Sequence, residues 1–152
     1  SRTGSKLIED TAINAYKKLL FPQAEIVTPN IFEANLLSNV QIKNEEDIEN
    51  SAQNILQLGP KAVLIKGGGI NYLKGKDFYI DNTGIRNWFI NDFVNTSNTH
   101  GSGCTLSAAI CGNMALGFNL KESIKRSKYF IQRSLENSYK IGSGPGPLGH
   151  YQ

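Results

Sequence analysis

The sequence predicts an α/β fold built on a mostly parallel sheet with an edge hairpin. Three observations carry this: helix-like and strand-like segments alternate through the first half, Ala62-Val63-Leu64-Ile65 is apolar without alternation, and two short strand-like segments bracket the turn Asn82-Thr83-Gly84. An unbroken apolar strand is one covered on both faces, as in a sheet flanked by helices.

Each element has its own signal. From Lys6 to Leu20, Ile8, Ala12, Ala15 and Leu19 recur at helical spacing and Pro22 follows as a stop. Glu25 to Thr28 is a short β-rich run ending at Pro29, after which Asn30 caps a helix carrying Phe32, Leu36 and Leu37. A helix from Glu45 to Leu58 opens on Glu45, Glu46 and Asp47, acids suited to the positive end of its dipole, and closes at Gly59-Pro60. The apolar strand stops at Lys66 and three glycines. Lys76–Asp81 and Arg86–Asn91 form the hairpin. A small-residue helix then runs from Gly103 to Leu116, ended by Gly117, and Leu120 opens a last helix to about Tyr139. The tail from Gly142 to Gln152 reads as irregular.

Composition limits the alternatives. At 152 residues, 39% apolar and 19% charged, the chain is globular, of a size for one domain, and neither disordered nor collagenous. The 16 Lys and Arg exceed the 13 Asp and Glu by only three and are dispersed, which argues against nucleic acid as a partner. No apolar stretch is long enough to span a membrane and the N-terminus lacks signal-peptide zones, so a cytoplasmic location is expected. Cys104 and Cys111 lie on one helix about 10 Å apart along its axis, too far to pair. His100 and His150 make no familiar zinc spacing. The chain opens without Met in Ser-Arg-Thr-Gly, which reads as a loop within a longer protein.

The most informative segment runs from Asn95 to Cys104, directly into a helix. A glycine-containing turn at a helix start presents amides and the positive dipole end, a physical site for phosphate. Thr96, Thr99 and Ser102 add hydroxyls; the bland alternative is a tight turn with Ser102 as the cap. A thiol in a first helical turn has its anionic form favoured and can serve as a base, so Cys104 is a candidate against the alternative of a small buried cysteine. Cys111 fits that alternative. Lys66 ends a strand where open α/β sheets bind ligands, or merely marks where the strand leaves the core. Lys128 sits on the apolar stripe of Ile124, Ile131 and Leu135, where an ammonium needs an anionic ligand, a carboxylate partner or a path to the surface. Asn30 and Glu33 have capping-box spacing, and the same pair at a strand end can hold water around magnesium.

Four blocks, TPNIFEANLL at 28–37, VLIKGGG at 63–69, NTSNTHGSGCTLSAAI at 95–110 and GPGPLGH at 144–150, together resemble the hydroxymethylpyrimidine and phosphomethylpyrimidine kinases of thiamine biosynthesis, in the ribokinase-like superfamily. The resemblance implies the C-terminal, ATP-binding portion of a three-layer α/β/α domain, with residues 1–152 as one domain lacking the N-terminal half. It implies transfer of the ATP γ-phosphoryl group to a pyrimidine hydroxymethyl group and then to the resulting monophosphate. On that basis Gly101, Ser102, Gly103 and Cys104 correspond to an anion hole, with Cys104 as base or acceptor-orienting residue. Asn30 and Glu33 correspond to the motif organising Mg2+ and phosphate, and Lys66, Thr96 and Lys128 stand near ATP. An unpaired sheet edge would invite association as a homodimer. Two rivals remain: a pyridoxal or pyridoxine kinase of the same cysteine-bearing branch, and a non-catalytic nucleotide-binding fragment.

Overall fold

The computed structural model describes residues 8–150. The chain divides into two compact units, Ser1–Ile90 and Asn91–Gln152.

The first unit opens with α1, Asp10–Ala15, which continues as a π-helical stretch, Tyr16–Leu20, and a 3-10 turn, Phe21–Gln23. This is the helix expected over 6–20; Lys6 and Leu7 lie outside the described residues. Its buried face is not the expected one. Ile13 and Phe21 are buried, whereas Ile8, Ala15 and Leu19 are exposed and Ala12 is half-buried. The π stretch at Tyr16–Leu20 widens the turn between α1 and Phe21, so regular α spacing no longer places Leu19 on the buried face.

Residues 24–30 then run extended beside β1, Ala62–Lys66. Val27 pairs with Val63 and Asn30 with Lys66 in parallel bridges, through Val27 N–H to Ala62 O (3.0 Å) and Leu64 N–H to Val27 O (2.9 Å). The strand expected at Glu25–Thr28 therefore exists as a bridged neighbour, and Pro29, lacking an N–H, only accepts there. The ladder itself departs from the mostly parallel sheet. β1 pairs antiparallel with β2, Lys76–Asp81, which pairs antiparallel with β3, Arg86–Ile90. The connection over 67–75 is shorter than the dozen or more residues a parallel crossover needs, so β2 must return alongside β1.

Two helices cover this sheet. α2, Ile31–Ser38, buries Ile31 and Ala34; α3, Glu45–Leu56, buries Ile48, Ala52 and Ile55. Asn44 caps α3 by accepting from the Asp47 amide at 2.9 Å. Their apolar faces join Val63 and Ile65 of β1 and Phe78 and Ile80 of β2 in one cluster. All four residues of the Ala62–Ile65 run are fully buried, as that run predicts.

In the second unit, α4, Ser102–Ala115, packs on α5, Leu120–Glu136. α4 buries Leu106 and Ile110, one turn apart. Cys111, expected to be buried, falls about 100° around the helix from Ile110 and is exposed. α5 buries Ser123, Ile124, Ser127, Lys128 and Ser134, while Ile131 and Leu135 are half-buried. Serines thus form much of the buried face expected of the aliphatic stripe; the Asn113 side chain donates to Ser127 Oγ at 3.2 Å. Among the described residues no helix is long and apolar enough to cross a membrane.

The β2–β3 turn is organised by one carboxylate. Asp81 Oδ1 accepts from the Thr83 and Ile85 amides at 3.0 and 3.1 Å and from Thr83 Oγ1 at 2.6 Å, while Oδ2 accepts from Tyr79 OH at 2.9 Å. Burial acts to raise the Asp81 pKa, but these bonds outweigh it and hold the carboxyl below its usual range. Burial, followed by the bond to Asp81 and its charge, raises Tyr79 above the ordinary phenol value. A depressed folded-state pKa contributes stability that is present above the unfolded value, about 3.9, and lost as pH falls through the folded value. Asp81→Ala is therefore expected to cost about 1–2 kcal/mol at neutral pH in denaturant titrations. The gap from wild type should shrink below about pH 4; a gap unchanged between neutral and strongly acid pH would contradict this account.

Candidate active site

The first unit brings Asn30, Glu33 and Lys66 together at the carboxyl end of β1. Lys66 N–H donates to Pro29 O at 2.9 Å, which sets Lys66 beside Asn30 in the parallel bridge. Asn30 and Glu33 form the capping box their spacing predicts: the Asn30 amide donates to Glu33 Oε2 at 2.8 Å, and the Glu33 amide to Asn30 Oδ1 at 2.9 Å. One oxygen of each side chain is thereby engaged, and Glu33 Oε1 retains its acceptor capacity. Among the described residues no group of three His, Cys, Asp or Glu side chains converges on a point. One carboxylate and one amide fit a magnesium ion that keeps most of its water and takes its remaining ligands from phosphate.

Sequence reasoning missed a residue here. Asp77 is 8% exposed, faces Lys66 across the ladder, and accepts from Gly67 N–H at 3.1 Å. It fixes the turn that follows Lys66. Gly67 has no room for a side chain, since a Cβ would meet Lys76 O at 2.3 Å. The only signal in the sequence is an acid opening the apolar run Phe78-Tyr79-Ile80, and its role depends on pairing with β1.

In the second unit Gly101, Ser102, Gly103 and Cys104 form one turn. Gly101 is the N-cap of α4, with φ 84° in the left-handed region that glycine adopts freely, and no side chain caps the helix. Ser102, read as the alternative cap, is instead the first helical residue, and its amide makes a long bond, 3.3 Å, to Thr99 O. The helical ladder begins with Thr105 N–H to Gly101 O at 2.9 Å. Among the described residues nothing accepts from the Gly103 and Cys104 amides, which stand at the positive end of the dipole. The Cys104 thiol is exposed in that same turn.

The other two candidates of this unit are held by different contacts. Thr96 Oγ1 lies 3.0 Å from Ser138 Oγ and accepts from the Asn98 amide at 3.1 Å, so its hydroxyl shapes the loop. Lys128 is 6% exposed on α5 and has partners within the structure. Beside the turn, His100, Gly101, Thr105, Tyr139, Leu148 and His150 line a cavity of about 370 Å³. This unit offers helix-start amides suited to an anion, with an exposed thiol in the same turn.

Comparison with known proteins gives a consistent picture. The family described as phosphomethylpyrimidine kinase matches residues 1–149. A hydroxymethylpyrimidine/phosphomethylpyrimidine kinase from Synechococcus elongatus is 41% identical over 99% of this chain, which spans 57% of that protein. Thiamine biosynthesis bifunctional protein ThiED from Geobacter sulfurreducens is 35% identical over 99% of the chain, 30% of its own length. Among solved structures, pyridoxal kinase from Staphylococcus aureus in complex with AMP-PCP and pyridoxal superposes with a TM-score of 0.88 at 32% identity, covering 97% of this chain and 55% of that one. Phosphomethylpyrimidine kinase from Clostridium difficile superposes with a TM-score of 0.68 at 36% identity, covering 83% and 50%. The chain thus spans little more than half of the single-function kinases it matches, and the fold is that of these ribokinase-like α/β kinases. By its sequence over nearly every residue, this chain belongs to the phosphomethylpyrimidine kinase family.

Proposed function

We propose that residues 1–152 are the C-terminal, ATP-binding portion of a single cytoplasmic kinase domain. That domain phosphorylates 4-amino-5-hydroxymethyl-2-methylpyrimidine and then its monophosphate. The observation that carries the proposal is the first turn of α4, where no side chain caps the helix and, among the described residues, nothing accepts from the Gly103 and Cys104 amides. Phosphoryl transfer asks a protein chiefly for positioning and for donors where negative charge accumulates. In the reaction, the hydroxymethyl oxygen bonds to the γ-phosphorus, the bond from that phosphorus to the β,γ-bridging oxygen breaks, and ADP leaves. Cys104 Sγ orients the alcohol and accepts its proton. The amides of the Gly101–Cys104 turn, chiefly those of Gly103 and Cys104, hold the phosphoryl oxygens in flight.

Lys66 and Lys128 supply positive charge for the nucleotide phosphates, and Thr96 holds the loop that leads into the turn. Asn30 and Glu33 would hold Mg2+ through water, and that ion would neutralise phosphate charge. A pyridoxal kinase is the second reading, favoured by the higher TM-scores of the pyridoxal kinases, while the 41% identity favours the pyrimidine enzyme.

The direct test offers ATP with the hydroxymethylpyrimidine or with pyridoxal to the full-length protein. The higher kcat/KM is expected for the pyrimidine; a preference for pyridoxal would establish the second reading, and transfer to neither would overturn both. Cys104→Ala should lower turnover at least tenfold, because a positioned acid–base group contributes about 10² to 10⁴ in rate; unchanged turnover removes Cys104 from the chemistry. Glu33→Gln keeps an acceptor for the Asn30 amide, so stability should stay within about 0.5 kcal/mol of wild type. Its activity should fall most at limiting Mg2+. Full activity there would leave Glu33 with its capping role alone.

A further inference from the structure

The glycine-rich tail returns to the phosphate turn, although its sequence reads as irregular. His100 N–H donates to Gly146 O at 3.1 Å, and Gly146 N–H donates to Asn98 Oδ1 at 3.1 Å, so one residue of the tail is bonded on both sides to the residues just before Gly101. His100 and Pro147 form a parallel bridge. Further along, Gly149 N–H donates to Ser134 O of α5 at 2.9 Å and Leu148 is buried, which anchors the tail. Thr105, whose amide makes the first helical bond of α4, has its Oγ1 3.4 Å from His150 Nε2. The fit is tight: a Cβ on Gly146 would lie 2.1 Å from Tyr139 O and 2.6 Å from Asn98 Oδ1.

We infer that the segment Gly146–His150 is a strap that sets the direction of the α4 first-turn amides, and that Asn98 is the positioning residue through which it acts. A turn lacking a side-chain cap has little of its own to fix where its amides point. Asn98 supplies that constraint at one side chain: it ties Gly146, and Gly146 in turn holds the amide next to Gly101. The inference deepens the proposed function and rests on it, because the amides so directed are those assigned to the phosphoryl group. Asn98 touches no substrate in this scheme. Its effect should therefore appear where the donors act most, in the transition state, and not in ground-state binding of the pyrimidine.

Two variants of the full-length protein break the same link from opposite sides, Asn98→Ala by removing the acceptor and Gly146→Ala by displacing the strap. Both should lower kcat about tenfold or more while the KM for the pyrimidine stays within about twofold, since small misplacement of a catalytic donor is costly in rate. Amide hydrogen exchange at His100 should accelerate in both, with the melting temperature of Asn98→Ala close to wild type. Wild-type kcat in Asn98→Ala despite faster exchange at His100 would overturn the strap while leaving the kinase reading intact. A parallel loss of kcat and folded fraction would overturn it too, as would a KM effect alone. A wild-type protein that transfers no phosphoryl group would overturn the kinase reading, and this inference with it.

Discussion

A helix that starts on glycine without a capping side chain has donors to spare, and the candidate chemistry of this chain depends on that surplus. Helix α3 shows the contrasting case, since Asn44 covers a first-turn amide of that helix. Helix α2 is covered more completely by the reciprocal Asn30–Glu33 box. Helix α4 alone of these three opens on a residue with no side chain, and among the described residues nothing accepts from its Gly103 and Cys104 amides. An anion placed there gains the partial charge of the dipole as well as the hydrogen bonds.

Such a surplus is useful only if the backbone carrying it is held still. In the second unit that support comes from a distance in sequence, through Gly146 on His100 and Asn98 and through Leu148 in the core. The first unit solves a similar problem at Lys66 with Asp77, whose carboxylate holds the amide of Gly67 while Leu73 and Lys76 close over that glycine. Both cases use a side-chain oxygen to secure a glycine backbone beside a candidate phosphate-binding residue. The glycines are required because neighbouring atoms, including backbone oxygens, occupy the space a Cβ would take.

Much of this was legible where the signal is local. The Ala62–Ile65 strand, the hairpin around Asn82-Thr83-Gly84, the Asn30–Glu33 box and the glycine turn before Cys104 each follow from residues within a few positions of one another. The departures share a different cause. The π turn after Ala15 changes the phase at which Leu19 and Phe21 meet the core, which residue spacing does not announce. The antiparallel ladder reflects how short the connection over 67–75 is, whereas the apolar run reports only that both faces are covered. On α5, Ser127 is buried with a bond from Asn113 of α4 and Ser123 with bonds to the Phe118 and Asn119 carbonyls, partners that hydropathy does not register when it assigns that side to Ile131 and Leu135. Asp77 and Asn98 gain their roles from partners that pairing and tail return bring to them.

The most direct measurement is a crystal structure of the full-length protein with a non-hydrolysable ATP analogue and the hydroxymethylpyrimidine. The account predicts γ-phosphate oxygens within about 3 Å of the Gly103 and Cys104 nitrogens, with the substrate hydroxyl facing Cys104 Sγ. Phosphates bound elsewhere, or those two amides turned onto the protein's own carbonyls, would contradict it.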